Sequence, residues 1–210
     1  GLAEVKQQFV ESAKRAVRVG FELGELHIGH GYLLHQFLSP LSNQRDDEYG
    51  GSSANRMRYP LEVFDAVRAA WPTDKPMGVR VSATDWVDGG WTPEETVVFA
   101  QELKNLGCDF LDVTTGGLDP RQKITLAPGY NVPFAEQVKR ETGMAVMAVG
   151  MISSGIQAED IVSSGKADMV AIARAVMDNP HWAWQAAREL GAETSYAGHY
   201  QRCHSSVWKP

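Results

Sequence analysis

Short runs of consecutive apolar residues recur along this chain, and each is separated from the next by a stretch with helical spacing. Ala145-Val146-Met147-Ala148-Val149 and Met169-Val170-Ala171-Ile172-Ala173 are unbroken. That pattern suits strands of a parallel sheet covered on both faces. Val5, Phe9, Ala13 and Val17 recur at helical spacing with lysines and arginines between them, so an amphipathic helix is expected over residues 5–19, ending near Gly20. A strand is expected at Phe21–His27, then a helix at Leu61–Trp71 and a strand at Met77–Ser82. A helix at Thr92–Leu106 opens with Thr92-Pro93-Glu94-Glu95, which joins an N-cap hydroxyl, a first-turn proline and acidic residues at the positive helix end. The alternation continues with strands at Phe110–Thr115, Ala145–Gly150 and Met169–Ala173, and with helices at Pro133–Glu141, Ile156–Ser163 and Trp182–Leu190.

The fold class is therefore α/β. Strict alternation fits a closed barrel or an open doubly wound sheet equally, so the loops have to choose. No G-x-G-x-x-G follows the first strand, which counts against an open dinucleotide-binding sheet. Gly150 directly follows one late strand and Ala173-Arg174 the next, where barrels commonly build a phosphate site from backbone N–H groups. A closed barrel needs eight strands and usually about 250 residues; the expected strands here are fewer, on 210 residues. The phosphate pattern belongs to the last two units of a barrel. The chain is accordingly expected to supply about the last five strand–helix units of a (β/α)8 TIM barrel, residues 1–210 forming part of one domain, with the first three units absent.

A formal net charge of -6 and the lack of any lysine or arginine run argue against a nucleic-acid surface or a membrane-binding helix. A small-molecule partner is favoured. No apolar stretch approaches the ~20 residues that span a bilayer, and the first residues have no signal-peptide character; a cytoplasmic protein is expected. Cys108 and Cys203 match no metal-ligand spacing and read as reduced thiols.

His27-Ile28-Gly29-His30-Gly31-Tyr32 falls at the carboxyl end of the first strand, the end where barrel enzymes place their chemistry. Residue type leaves three readings of the two histidines open. They could ligate a metal, although no third ligand has a recognisable spacing. They could be satisfied by backbone carbonyls, or they could act as neutral donors to an oxygen on which negative charge develops. The stretch Leu38–Arg56 is long and polar for a βα loop, and its charges and paired glycines suggest an ordered network.

His27-x-x-His30-Gly31-Tyr32-Leu33-Leu34-His35-Gln36-Phe37-Leu38-Ser39-Pro40, followed by Asn43-x-Arg45-x-Asp47-Glu48-Tyr49-Gly50-Gly51-Ser52 and Asn55-Arg56-x-Arg58, resembles the signature region of the Old Yellow Enzyme family. The likeness continues through Val79–Trp86, Thr114-Thr115-Gly116-Gly117, Pro128-Gly129-Tyr130, Ala148–Ile152 and Ile172-Ala173-Arg174. It is nearest to the bacterial class of thermophilic-like ene-reductases and xenobiotic reductases. The resemblance implies a barrel with noncovalent FMN at its mouth, reduced by NADPH or NADH, and reduction of the C=C bond of α,β-unsaturated carbonyl or nitro compounds. It implies that His27 and His30 hold the substrate oxygen and that Tyr32 lines the same pocket. Arg80 would lie beside the flavin pyrimidine edge, with Gly150, Ala173 and Arg174 clamping the phosphate. The tail Gly198-His199-Tyr200-Gln201-Arg202 is similar to a segment that brings an arginine, here Arg202, into a neighbouring subunit's site, implying a homodimer or dimer-based oligomer. The family's proton-donating tyrosine belongs to the first three strands and has no counterpart here.

Overall fold

A computed structural model describes residues 1–204 and 206–208. Its elements run α1 (Leu2–Arg18), β1 (Gly24–Ile28), α2 (Leu33–Leu38), α3 (Ser53–Ala70), β2 (Met77–Ser82), α4 (Pro93–Asn105), β3 (Phe110–Thr114), α5 (Val132–Thr142), β4 (Ala145–Val149), α6 (Gly155–Ser163), β5 (Met169–Ala171), α7 (Arg174–Asp178) and α8 (Trp182–Glu189). A 3₁₀ turn, Gly198–Cys203, follows. The strands form one parallel sheet in the order β1-β2-β3-β4-β5, each joined to the next through helix, as a segment of a (β/α)8 barrel requires.

Several boundaries differ from the sequence reading for local reasons. β1 begins at Gly24 rather than Phe21, because the Phe21 N–H returns to the Ala16 carbonyl and completes the exit of α1. Helix α3 begins at Ser53, eight positions before Leu61, with the Ser52 hydroxyl accepting the Asn55 N–H as its cap. Pro60 lies inside this helix, and a proline in that position masks helical continuity in a sequence. The short helices α2 and α7 were not anticipated. α4 keeps its expected start: Thr92 accepts the Glu95 N–H, and Glu95 reaches back to the Thr92 N–H.

The register aligns His27 with Arg80, Arg80 with Asp112, Asp112 with Met147 and Met147 with Met169. Because strand side chains alternate, these residues share one face and their sequence neighbours share the other. The helix-side face is apolar throughout, with Leu26, Ile28, Val79, Val81, Leu111, Val113, Val146 and Ala148 buried beside Val63, Phe64, Phe99, Leu103 and Val138. Burial of Phe64, Phe99 and Leu103 alone contributes several kcal/mol at about 1.5–3 kcal/mol each.

The opposite, barrel-interior face is covered along β3, which is buried at every position, but it is charged and it opens towards β1. It carries Glu25, His27, Arg80 and Asp112 in the first three strands, and Glu25 is exposed. Only Gly78 fits its place there: a Cβ would lie 2.4 Å from the Phe110 ring. Among the described residues neither the outer edge of β1 nor that of β5 has a strand partner.

Candidate functional site at the carboxyl ends of the strands

The turn after β1 is held from several directions. His30 and Gly31 both adopt positive φ, 54° and 74°, a conformation that costs a residue with a Cβ about 1–2 kcal/mol. Fixed partners offset that cost. The His30 N–H donates to the Ser82 hydroxyl at 3.0 Å, and that hydroxyl donates to the Gly116 carbonyl at 2.9 Å. The Gly31 N–H donates to Nδ1 of His35 at 2.9 Å, while Gln36 donates to the Gly31 carbonyl at 2.7 Å.

The two imidazoles lie side by side, ring centres 5.2 Å apart, and the Tyr32 ring stands edge-on to His27 at 5.5 Å. His30 Nε2 is 3.1 Å from the Thr114 hydroxyl at the end of β3. Burial, reinforced by the Arg80 charge and by His27, pushes the His30 pKa down to about 4; burial and Arg80 lower His27 as well. Both rings are therefore neutral near pH 7, donors that bring no net charge. Among the described residues no cluster of three or more metal-ligating side chains occurs.

Arg80, on β2, is paired across the register with Asp112 on β3, Nε to Oδ2 at 3.3 Å. Asp112 is almost wholly buried; burial lifts its carboxyl to about 6, against the opposing pull of Arg80. The contact joins the middles of β2 and β3 as an ion pair without hydrogen-bond alignment.

A cavity of about 700 Å³ opens at this end of the sheet, and its walls include His30, Arg80, Thr114, Gly150, Ala173 and Arg174. Gly150 has φ 120°, and a Cβ there would meet the Asn131 amide at 3.0 Å and the Tyr130 ring at 3.1 Å. The backbone N–H groups of Gly150, Met151 and Ala173 make no hydrogen bond among the described residues. A bare backbone flanked by Arg174 can receive an anion.

Of the residues expected from the sequence, His30, Arg80, Gly150, Ala173 and Arg174 line this single cavity. His27 and Tyr32 stand next to His30, Tyr32 largely exposed. Arg202 lies on the exposed 3₁₀ turn, outside the cavity walls. Ser82, Thr114 and Tyr130 stand in the stretches that carry the resemblance but were given no role, and Asn131 was not singled out. Thr114 had a signal: it follows Asp112 by two residues and so faces the same side of β3.

The fold and this mouth define a class: a parallel α/β barrel segment that brings neutral imidazole, arginine side chains and bare backbone N–H groups to one opening. The model of the NADH:flavin oxidoreductase / NADH oxidase family matches residues 1–193. An NADPH dehydrogenase of Geobacillus sp. (strain WCH70) is 47% identical over 201 residues, 96% of this chain and 58% of that protein. The NADPH dehydrogenase of Bacillus subtilis (strain 168) is 43% identical over 199 residues, 95% of this chain and 58% of that protein. Among solved structures, morphinone reductase is 28% identical with a TM-score of 0.73, covering 93% of this chain and 51% of that one. A 2-naphthoyl-CoA reductase in complex with 2-naphthoyl-CoA is 26% identical with a TM-score of 0.82, covering 91% of this chain and 29% of that one. The chain belongs to the NADH:flavin oxidoreductase family, the Old Yellow Enzyme group that its signature residues resemble. It spans less than two thirds of the length of these relatives. No helix among the described residues is long and apolar enough to cross a membrane.

Proposed function

We propose that these residues form the carboxyl-end site of an FMN-dependent NAD(P)H oxidoreductase that reduces the C=C bond of α,β-unsaturated carbonyl or nitro compounds. The observation that carries this reading is the meeting of His30, Arg80, Gly150, Ala173 and Arg174 on one cavity.

The residues present fit FMN. The free N–H groups at Gly150, Met151 and Ala173, with Arg174 beside the cavity, match a phosphate with several acceptor oxygens. Arg80 supplies a fixed positive charge nearer the histidines, suited to the pyrimidine edge of a flavin. When bound, FMN would accept hydride from NADPH or NADH and deliver it to the substrate.

The chain's own part is orientation and polarisation. His27 and His30 hold the substrate oxygen as neutral donors, so negative charge developing on it is stabilised without a proton leaving the protein. Tyr32 borders the same space. Thr114, hydrogen-bonded to His30 Nε2, fixes the rotation of that ring. In this reading the proton for the α-carbon comes from a donor outside this chain.

The same reading makes the chain the last five units of the barrel, completed by three units that precede β1, with Arg202 reaching a neighbouring subunit of a dimer. A second reading is a segment inactive without that complement, favoured by the charged barrel-interior face left open at Glu25. Flavin colour in the isolated chain separates the two. In the full-length flavin-loaded protein, an electron-rich phenolate stacked on the oxidised flavin gives a long-wavelength charge-transfer band. His27→Ala with His30→Ala should abolish it; an unchanged band refutes the role of the pair.

A further inference from the structure

His35 and Asp85 are both fully buried, and neither has a part in the chemistry described above. His35 comes from α2, where it sits among Leu34, Phe37 and Leu38; Asp85 comes from the loop between β2 and α4. His35 Nε2 and Asp85 Oδ1 lie 3.1 Å apart, short of good hydrogen-bond alignment, and neither makes a hydrogen bond to any other described residue. The remaining oxygen, Asp85 Oδ2, accepts the Ser39 hydroxyl at 2.6 Å and the Trp91 N–H at 2.7 Å. Burial alone would raise the Asp85 carboxyl, but the contacts with His35, Ser39 and the Trp91 N–H outweigh it and lower the pKa. Asp85 is thus a buried carboxylate with three donors around it.

The other end of the imidazole settles its tautomer. A backbone N–H cannot be turned around, so the Gly31 N–H at 2.9 Å requires a lone pair on His35 Nδ1. The proton then sits on Nε2, facing the carboxylate, and the carboxylate favours that arrangement. Gly31 directly follows His30, and both have positive φ. Two successive N–H groups in this turn therefore have side-chain acceptors from separate elements, Ser82 for His30 and His35 for Gly31.

We propose that His35, held in its Nε2–H tautomer by Asp85, is a positioning residue that fixes the His30–Gly31 turn and so aims the substrate-binding imidazoles. This rests on the functional reading above. It gives Asp85, in the β2–α4 loop and not itself a wall of the cavity, a defined hold on ligand affinity.

The test uses the full-length flavin-loaded protein with 4-chlorophenolate as probe, followed by its charge-transfer band. A wild type without flavin or without the band defeats the functional reading itself, before any variant is considered. With the band present, three variants separate the roles. His35→Asn places an amide oxygen near Nδ1 and keeps the acceptor for Gly31. His35→Gln places an amide near Nε2 and loses that acceptor. Asp85→Asn turns its oxygen to the Trp91 N–H and its NH₂ to His35, forcing the imidazole proton onto Nδ1, against the Gly31 N–H.

Losing one buried hydrogen bond of this kind is expected to weaken the probe by about tenfold in His35→Gln and Asp85→Asn at unchanged flavin content, while His35→Asn stays within about threefold of wild type. Equal affinity in all three, or a loss in His35→Asn as large as in His35→Gln, overturns the proposal. Neutron diffraction of the wild type checks it without any substitution: deuterium on His35 Nε2 supports it, and deuterium on Nδ1 refutes it.

Discussion

Replacing Arg56 by methionine removes the tie that orders the long segment between β1 and α3. The guanidinium is buried. Its Nε donates to the Leu38 carbonyl at 2.7 Å, one Nη donates to the Gly51 carbonyl at 2.6 Å, and the other Nη pairs with Glu95. One side chain thereby joins the end of α2, the glycine turn and the capping box of α4. Methionine refills most of the volume, so the loss is electrostatic. Hydrogen bonds from a charged group are worth about 1.5–3 kcal/mol each, and breaking a buried pair costs about 3–5 kcal/mol. The Glu95 side chain is 22% exposed and can rehydrate in part, which places the expected loss near the lower end, about 3 kcal/mol. For a protein of this size that lowers the melting temperature by roughly 6–12 °C. Urea unfolding followed by circular dichroism should show it in the midpoint, without a change in slope. Glu95→Gln keeps an acceptor and should cost less; the double variant should cost less than the sum of the two. A loss below about 1 kcal/mol for Arg56→Met would mean that the loop orders itself and that the guanidinium only fills space.

Asp112→Asn should unmask the Arg80 charge and move the midpoint potential of bound flavin upward, by about 30 mV if the differential interaction is about 1.4 kcal/mol. Because the Asp112 pKa is raised to about 6, the difference from wild type should be full at pH 8 and small at pH 5; a difference independent of pH in spectroelectrochemical titration would contradict the assignment. His30 titrates in the opposite sense for stability. Its pKa in the folded state is about 4, below the ~6.5 of an unfolded chain, so the unfolded state takes up protons first and stability falls as pH drops from about 6.5 towards 4. His30→Asn should remove that share of the acid-side loss in urea midpoints compared at pH 7 and 5, and an identical loss in wild type and variant would exclude it.

The strands and most helices were legible because burial of one sheet face demands apolar runs and helices demand a periodic stripe. The cap of α4 was legible from Thr92-Pro93-Glu94-Glu95 alone. What escaped was set by contacts distant in sequence. α3 extends back through Pro60 because Ser52 caps it, and Phe21 leaves the first strand because its N–H is taken by α1. At the site, the residue types of His27, His30 and Arg80 announced polar chemistry. The partners that hold the His30 turn and ring could not be read: Thr114 meets His30 across 84 positions and Ser82 across 52. The charged barrel-interior face was written as alternation in Gly24–Ile28, Met77–Ser82 and Phe110–Thr114, whereas the unbroken apolar runs belong to the last two strands.

Gly31 and Gly117 come from different loops and touch. A Cβ on Gly31 would lie 2.6 Å from the Gly117 carbonyl oxygen, and a Cβ on Gly117 would lie 2.7 Å from the His30 Cα. Neither position can vary alone, and a compensating change at one does not relieve the other, because each obstacle is backbone. Change at this site is thus steered away from the turn and towards residues such as Tyr32, 65% exposed, whose side chain meets His27 on one edge and otherwise faces mostly solvent. The backbone that carries the histidines admits little substitution, and the room for change lies at its rim.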